Sequence, residues 1–124
     1  MIEYPGTADT PRSHLPFSAC TKVGSLLFVS GQASVDATGA IVSDTFEGEM
    51  RRSIRNLQKI LDDAGSSLKH VVQTRNYVHD PANLSAFNEV YREFFSPPYP
   101  ARTTITSCLT DTLKFEIECV AVVK

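Results

Sequence analysis

The sequence lacks several features that would assign it to a specialised class. None of its apolar runs is long enough to cross a membrane, and its first ten residues, MIEYPGTADT, lack the basic and apolar regions of a signal peptide. Its 3 cysteines, Cys20, Cys108 and Cys119, are odd in number and include no CxxC pair, so neither a disulfide framework nor a zinc site is predicted. These absences predict a cytoplasmic protein with reduced cysteines and no membrane partner.

The content of positive charge does not indicate a nucleic-acid partner. The 12 lysines and arginines are outnumbered by 14 aspartates and glutamates, which gives a formal net charge of -2. Proteins that bind RNA usually carry a basic surface interleaved with aromatic residues, and no such stripe occurs here. The length of 124 residues and the hydrophobic fraction of 42% predict one soluble domain over residues 1–124, with 1–13 as a largely irregular arm.

Motifs for the common catalytic devices are also missing. The sequence has no GxSxG nucleophile elbow and no glycine-rich phosphate loop. Its histidines, His14, His70 and His79, show no metal-ligand spacing. We therefore predict a site without a metal or a cofactor.

Hydrophobic periodicity and turn residues predict eight elements. They are strands over 17–22, 26–30 and 33–42, a helix capped by Asp44 or Thr45 and ended by Gly65, a strand over 70–78, a helix over 83–94, and strands over 101–108 and 114–123. Glu47 stands three residues after Asp44, as in a capping box. The predicted order is βββαβαββ.

The last strand predicts how the helices lie on the sheet. Phe115, Ile117 and Cys119 alternate with Glu116 and Glu118, so one side of this strand is apolar and the other is mixed. Two helices cannot cover both faces of a six-stranded sheet, and we predict an α+β fold with a mixed sheet and both helices on one face. The second face also carries apolar residues from LLFVS, which favours self-association.

One charged pair could carry chemistry. Arg102 follows the prolines of PPYP and opens a strand, and Glu116 lies on the next strand. The short connection over 109–113 predicts a hairpin that brings Arg102 within reach of residues 116–120. An arginine can hold a carboxylate through two parallel hydrogen bonds, and a partly buried glutamate can move a proton or orient a water. The alternative is a structural Arg–Glu ion pair that braces a subunit interface.

A second candidate is the segment Ser30-Gly31-Gln32, which follows an apolar strand. A serine hydroxyl and a glycine backbone can both approach a ligand closely at such a position. The alternative is an ordinary strand end with a turn glycine.

Four segments together resemble the RidA/YjgF family of reactive intermediate deaminases, some of whose members are labelled endoribonuclease L-PSP. They are LLFVSGQ, AFNEVYREFF, YPARTT and FEIECVAV, in that order, and the resemblance spans about residues 14–124. It implies a chorismate-mutase-like fold, and a homotrimer with ligand sites in the clefts between subunits.

The resemblance also implies an activity, the hydrolysis of 2-imino acids and their enamine tautomers to 2-oxo acids and ammonia. Arg102 matches the family's carboxylate-binding arginine, and Glu116 matches the glutamate that activates or positions water. Ser30 and Gly31 match positions that line the cleft, and Asn88 matches a helix asparagine nearby.

Two positions depart from the family pattern. Phe17 stands where active deaminases often carry a tyrosine, and Thr104 stands where a cysteine is often found. Three other functions therefore stay open: a trimer that binds small carboxylates without turnover, a deaminase for another substrate such as aminomuconate, and an endoribonuclease or translation inhibitor.

Overall fold

Six strands form one mixed sheet, and two helices lie on one of its faces. The computed structural model describes residues 1–124. The strands are β1 (Ile2–Glu3), β2 (Cys20–Val23), β3 (Leu26–Ala33), β4 (Val71–Val78), β5 (Ala101–Thr106) and β6 (Phe115–Val122), and the helices are α1 (Phe46–Asp63) and α2 (Leu84–Phe94). The predicted α+β class and the order βββαβαββ are confirmed. Neither helix has the length and apolar character that a membrane crossing requires.

The strands lie in the order β1-β2-β3-β6-β4-β5. Strands β4 and β5 are parallel, and α2 is the crossover that parallel neighbours need. The other neighbouring pairs are antiparallel. The predicted hairpin of β5 and β6 is therefore wrong, because β4 lies between these two strands.

The first part of the chain differs from the prediction in two places. One edge strand of the sheet, β1, comes from the N-terminal arm, where Ile2 pairs with Val23. The predicted strand over 33–42 does not form, and only an isolated bridge joins Val35 and Ile41.

A side chain explains why the segment over 33–42 turns back on itself. Oδ1 of Asp36 accepts hydrogen bonds from the backbone N–H groups of Thr38 at 2.9 Å and Ala40 at 3.1 Å. Short polar side chains of this kind compete with strand pairing by closing a turn locally.

Thr45 caps the start of α1, and it was one of the two residues predicted to do so. Its side-chain oxygen accepts a hydrogen bond from the backbone N–H of Gly48 at 3.1 Å. Asp44 instead accepts from the N–H of Thr45 at 2.7 Å, so the capping box with Glu47 does not form.

A buried carboxylate joins the start of α1 to the start of β6. Glu49 is 0% exposed and accepts hydrogen bonds from the backbone N–H of Asp44 at 3.2 Å and of Lys114 at 3.1 Å. The Lys114 ammonium lies 3.1 Å from the same carboxylate. This buried charge is thus fully paired, as the low dielectric of a protein interior requires.

The hydrophobic core lies between the sheet and the helices and contains 19 residues. It takes Leu27 and Ile117 from the sheet and Ile54 from α1, all three fully buried. The other face of the sheet, which we call the open face, is bare: Leu26 and Phe28 are 40% and 43% exposed on it. The helices therefore cover one face only, as predicted.

Candidate active site

Arg102 is held beneath α2 and has no acidic partner within the chain. Its Nη1 donates a hydrogen bond of 2.9 Å to Oδ1 of Asn88, and its guanidinium carbon lies 4.9 Å from the ring centroids of both Phe87 and Tyr91. The aromatic faces attract the cation and restrict its rotation. The guanidinium therefore keeps donors free for an anionic ligand.

A cavity of about 290 Å³ opens beside this guanidinium. It is lined by Asn88, Tyr91, Arg92, Tyr99, Pro100 and Arg102. No carboxylate lines it, while two guanidinium groups do, so its electrostatics favour an anion. Of these residues, only Asn88 and Arg102 were among the predicted site residues.

Glu116 lies on the open face and is partly buried. Burial raises the pKa of its carboxyl above the ordinary value, and the charge of Glu118 raises it further. No hydrogen-bond donor of the chain contacts this carboxylate, so it is free to accept from a ligand or a water. A carboxylate whose proton affinity is raised in this way is suited to proton transfer.

Gly31 makes room for the Glu116 carboxylate. A Cβ atom at position 31 would lie 2.6 Å from Oε2 of Glu116, which is closer than such atoms can approach. The pairing of β3 with β6 shifts between Val29 and Gln32, and Gly31 lies in this irregular stretch, two residues before Ala33, which pairs with Glu116. Any larger residue at position 31 would therefore displace this carboxylate.

Ser30 fixes the segment that carries Phe17. Its hydroxyl donates a 2.6 Å hydrogen bond to the carbonyl oxygen of Ser18, and its backbone N–H donates one of 2.9 Å to that of Ala19. The serine proton is thus already in use, and the hydroxyl oxygen has only acceptor capacity left. Phe17 is 52% exposed and lines a second cavity with the N-terminal arm.

The register of β4 shows that Arg102 and Glu116 point to opposite faces. Tyr77 is paired with Glu116 on one side and with Ile105 on the other. Arg102 precedes Ile105 by three residues, and alternate residues of a strand face opposite ways. Arg102 therefore faces the helices together with Thr104, and Glu116 faces away from them.

The prediction that one chain brings Arg102 and Glu116 together is accordingly wrong. The structure groups Arg102, Asn88 and the half-buried Thr104 on the helix side, which we call the arginine half-site. It groups Glu116, Gly31 and Ser30 on the open face, which we call the glutamate half-site.

Glu118, by contrast, is engaged by neighbours on the same face. The Tyr77 hydroxyl donates a short hydrogen bond to it, and Nη1 of Arg75 lies 3.6 Å from its Oε2. The hydrogen bond to Glu118 raises the pKa of Tyr77 to about 12. Glu116 is therefore the carboxylate of this face that is available to a ligand.

No three His, Cys, Asp or Glu side chains converge in a geometry that could hold a metal ion.

Relatives of known sequence cover nearly the whole chain. RutC family protein y4sK of Sinorhizobium fredii is 41% identical over 122 residues, which are 97% of both chains. Reactive Intermediate Deaminase A, chloroplastic, of Arabidopsis thaliana is 33% identical over 96% of this chain and 65% of its own length. A 2-iminobutanoate/2-iminopropanoate deaminase of Dermatophagoides farinae is 27% identical over 95% of this chain and 94% of its own length.

Solved structures share the fold at similar coverage. A putative endoribonuclease of Thermotoga maritima superposes with a TM-score of 0.89 at 34% identity, over 98% of both chains. The TdcF protein of E. coli, solved with bound serine, superposes with a TM-score of 0.85 at 30% identity, over 98% of this chain and 99% of its own. The profile of the Endoribonuclease L-PSP family matches residues 7–123. The chain belongs to this family, which is the RidA/YjgF family that the sequence motifs resemble.

Proposed function

We propose that the protein hydrolyses 2-imino acids to 2-oxo acids and ammonia. The observation that carries the proposal is the Arg102 guanidinium, which is held by two aromatic rings and Asn88 and lacks an acidic partner. A 2-imino acid offers the planar carboxylate that such a group binds through two parallel hydrogen bonds. The relatives named as deaminases support the same reaction class.

The reaction needs only orientation and proton transfer. Water adds its oxygen to the imine carbon and a proton to the imine nitrogen; the amino group of the resulting carbinolamine then takes the proton of its hydroxyl, and the C–N bond breaks to release ammonia and leave the keto group. With the carboxylate bound to Arg102, the Glu116 carboxylate accepts the proton of the attacking water and returns it to the leaving nitrogen. Holding the reactants in place removes an entropic barrier, and neither step requires a metal or a cofactor.

The site is completed between chains in this proposal. The arginine half-site and the glutamate half-site face opposite ways in one chain, so a ligand touches both only if a second copy supplies one of them. A two-fold dimer buries the same patch on both copies, whereas joining two different faces is a head-to-tail contact, which gives a ring when its rotation closes and a filament when it does not. The homotrimer implied by the sequence resemblance is the smallest such ring.

The open face supports this assembly. Leu26 and Phe28 are substantially exposed on it, next to the half-buried Val120 and Val122. An apolar sheet face of this kind is covered at subunit interfaces. Its burial by a neighbouring copy removes water from around Glu116, which strengthens the electrostatic interactions of the site.

An assay with an unstable substrate made in place tests the proposal. An amino-acid oxidase generates 2-iminobutyrate, and formation of 2-oxobutyrate is followed with and without the protein. We expect faster keto-acid formation with the wild-type protein and none above the uncatalysed rate with Arg102→Ala. Binding of 2-oxobutyrate without any acceleration by the wild-type protein would instead assign it to carboxylate binding alone.

A further inference from the structure

A second arginine in the cavity carries an inference about the substrate. Arg92 lines the same cavity of about 290 Å³ as Arg102 and is exposed to solvent within it. No carboxylate of the chain pairs with it: the arginines that form salt bridges are Arg51, Arg52 and Arg75.

The helix places Arg92 one turn away from the residue that holds Arg102. Asn88, which holds Arg102, and Arg92 are four residues apart on α2 and so lie on the same face, one turn apart. Four residues of α-helix span about 6 Å along the axis. A ligand whose carboxylate contacts Arg102 can therefore reach Arg92 with its far end, since both arginines line the same cavity.

The rest of the cavity suits a small, extended ligand. Tyr99 and Pro100 also line it, and the hydroxyl of Tyr91 is already hydrogen-bonded to that of Thr74 at 2.8 Å. A chain of five carbons places its terminal carboxyl carbons about 5 Å apart, since each C–C bond is about 1.5 Å. This separation is close to one helical turn, so the two guanidinium groups can each contact one end.

We propose that the substrates are 2-imino dicarboxylic acids of four or five carbons, with Arg92 binding the distal carboxylate. This inference rests on the proposed function, in which Arg102 binds the carboxylate beside the imine. Arg92 acts on substrate choice: it contacts the end of the molecule that does not react. A methyl group at that end leaves the guanidinium without an ionic partner, and specificity follows from this difference.

Two keto acids of equal length isolate the effect of the distal group. 2-Oxoglutarate and 2-oxopentanoate differ only in a carboxylate or a methyl group at the far end, and calorimetry measures both dissociation constants. We expect the wild-type protein to bind 2-oxoglutarate at least about tenfold more tightly than 2-oxopentanoate, which is the range of one charge-assisted hydrogen bond. The matching preference is expected in turnover of 2-iminoglutarate over 2-iminobutyrate, each made by an oxidase.

Substitution of Arg92 assigns the preference to this side chain. Arg92→Gln is expected to raise the dissociation constant of 2-oxoglutarate about tenfold and to change that of 2-oxopentanoate less than about twofold. Arg55→Gln is the matched control, because Arg55 is an exposed arginine of α1 outside the cavity. It is expected to change neither constant. Light scattering is expected to give Arg92→Gln the assembly of the wild-type protein.

Several results would overturn the inference. Equal binding of the two keto acids by the wild-type protein would reject the dicarboxylate class but leave the deaminase intact, provided that 2-iminobutyrate is turned over. Equal weakening of both ligands by Arg92→Gln, or a changed assembly, would make Arg92 a structural residue. If neither keto acid binds and no imine is hydrolysed, the proposed function itself fails, and this inference fails with it.

Discussion

Gly31 and the carboxylate of Glu116 approach so closely that no side chain fits between them. A Cβ atom at position 31 would lie 2.6 Å from Oε2 of Glu116. The clash is with the far end of a flexible side chain, so Gly31→Ala should move the carboxylate and leave the fold intact. We expect turnover to fall about ten- to hundredfold, since small displacements of reacting groups have effects of that size.

A double substitution tests whether Gly31 acts through Glu116. If it does, Gly31→Ala should cause little further loss of turnover in a protein that already carries Glu116→Gln. Full additivity of the two losses would show that Gly31 serves the site in some other way.

Glu116→Gln should separate catalysis from binding. The amide keeps the shape of the side chain but cannot accept a proton, so we expect turnover to fall by about a hundredfold or more while 2-oxobutyrate still binds. Glu118→Gln is the matched comparison, because Glu118 shares the face but is engaged by Tyr77 and Arg75. It should have a much smaller effect on turnover at neutral pH. Near-normal turnover of Glu116→Gln would remove this residue from the mechanism.

The pH dependence of turnover should reflect the environment of Glu116. Burial and the charge of Glu118 both raise its pKa above the ordinary 4.5. The base must be deprotonated, so kcat/KM should fall as the pH is lowered through the raised pKa, at a higher pH than for an exposed glutamate. Glu118→Gln removes the second cause, so its acid limb should move to lower pH. An unmoved limb would assign the titration to another group.

The raised pKa of Glu116 also affects stability, which should change with pH in the opposite direction to turnover. A carboxyl whose pKa is raised by folding binds its proton more tightly in the folded state, so its contribution to the free energy of unfolding decreases as the pH rises through the raised pKa. Glu116→Gln removes this penalty. We expect its melting temperature at neutral pH to equal or exceed that of the wild-type protein, and a marked decrease would contradict this account.

Arg102→Lys should distinguish a carboxylate clamp from a structural brace. Lysine keeps the charge near Phe87 and Tyr91 but loses the planar fork that binds a carboxylate at two points. We expect a melting temperature within about 3 °C of the wild-type value, weak binding of 2-oxobutyrate and little deaminase activity. Calorimetric titration and thermal melts measure these quantities. Arg75→Lys, on the open face, is the control. Unchanged ligand affinity with a large drop in melting temperature would make Arg102 structural.

The ring assembly has its own test. Light scattering at micromolar concentration is expected to return three times the mass of the chain, unchanged on dilution. Phe28→Glu places a charge on the open face, where Phe28 is 43% exposed, and should reduce both the mass and the turnover. A monomeric wild-type protein would reject the site between chains, because one chain cannot join the two half-sites.

Periodicity predicted the helices well, since their apolar spacing reports directly on the buried face. Ile54 and Leu57 of α1 are fully buried, as that spacing requires. The position of β5 was mispredicted because neighbours in the chain were taken as neighbours in the sheet, whereas β6 lies between β3 and β4. The face of Arg102 follows from strand register, and a shift of one residue reverses it.

The sequence motifs pointed to Arg102, Asn88 and Glu116 but not to the whole cavity. Arg92 was missed because an exposed helix arginine usually contacts only solvent. Its spacing of four residues from Asn88 was the available signal, and this spacing gains meaning only once β5 brings Arg102 under α2. Gly31 was a predicted site residue, but the close approach of Glu116 to it is not visible in the sequence.

The buried carboxylate of Glu49 has a consequence for how the protein tolerates change. It binds the backbone N–H of Lys114, two residues before Glu116, so the start of β6 is positioned by α1 and not by the connection that precedes it. We therefore expect length changes within residues 109–113 to leave the position of the glutamate half-site nearly unchanged. Changes in this connection would alter the surroundings of the glutamate half-site while the position of the Glu116 carboxylate stays constant.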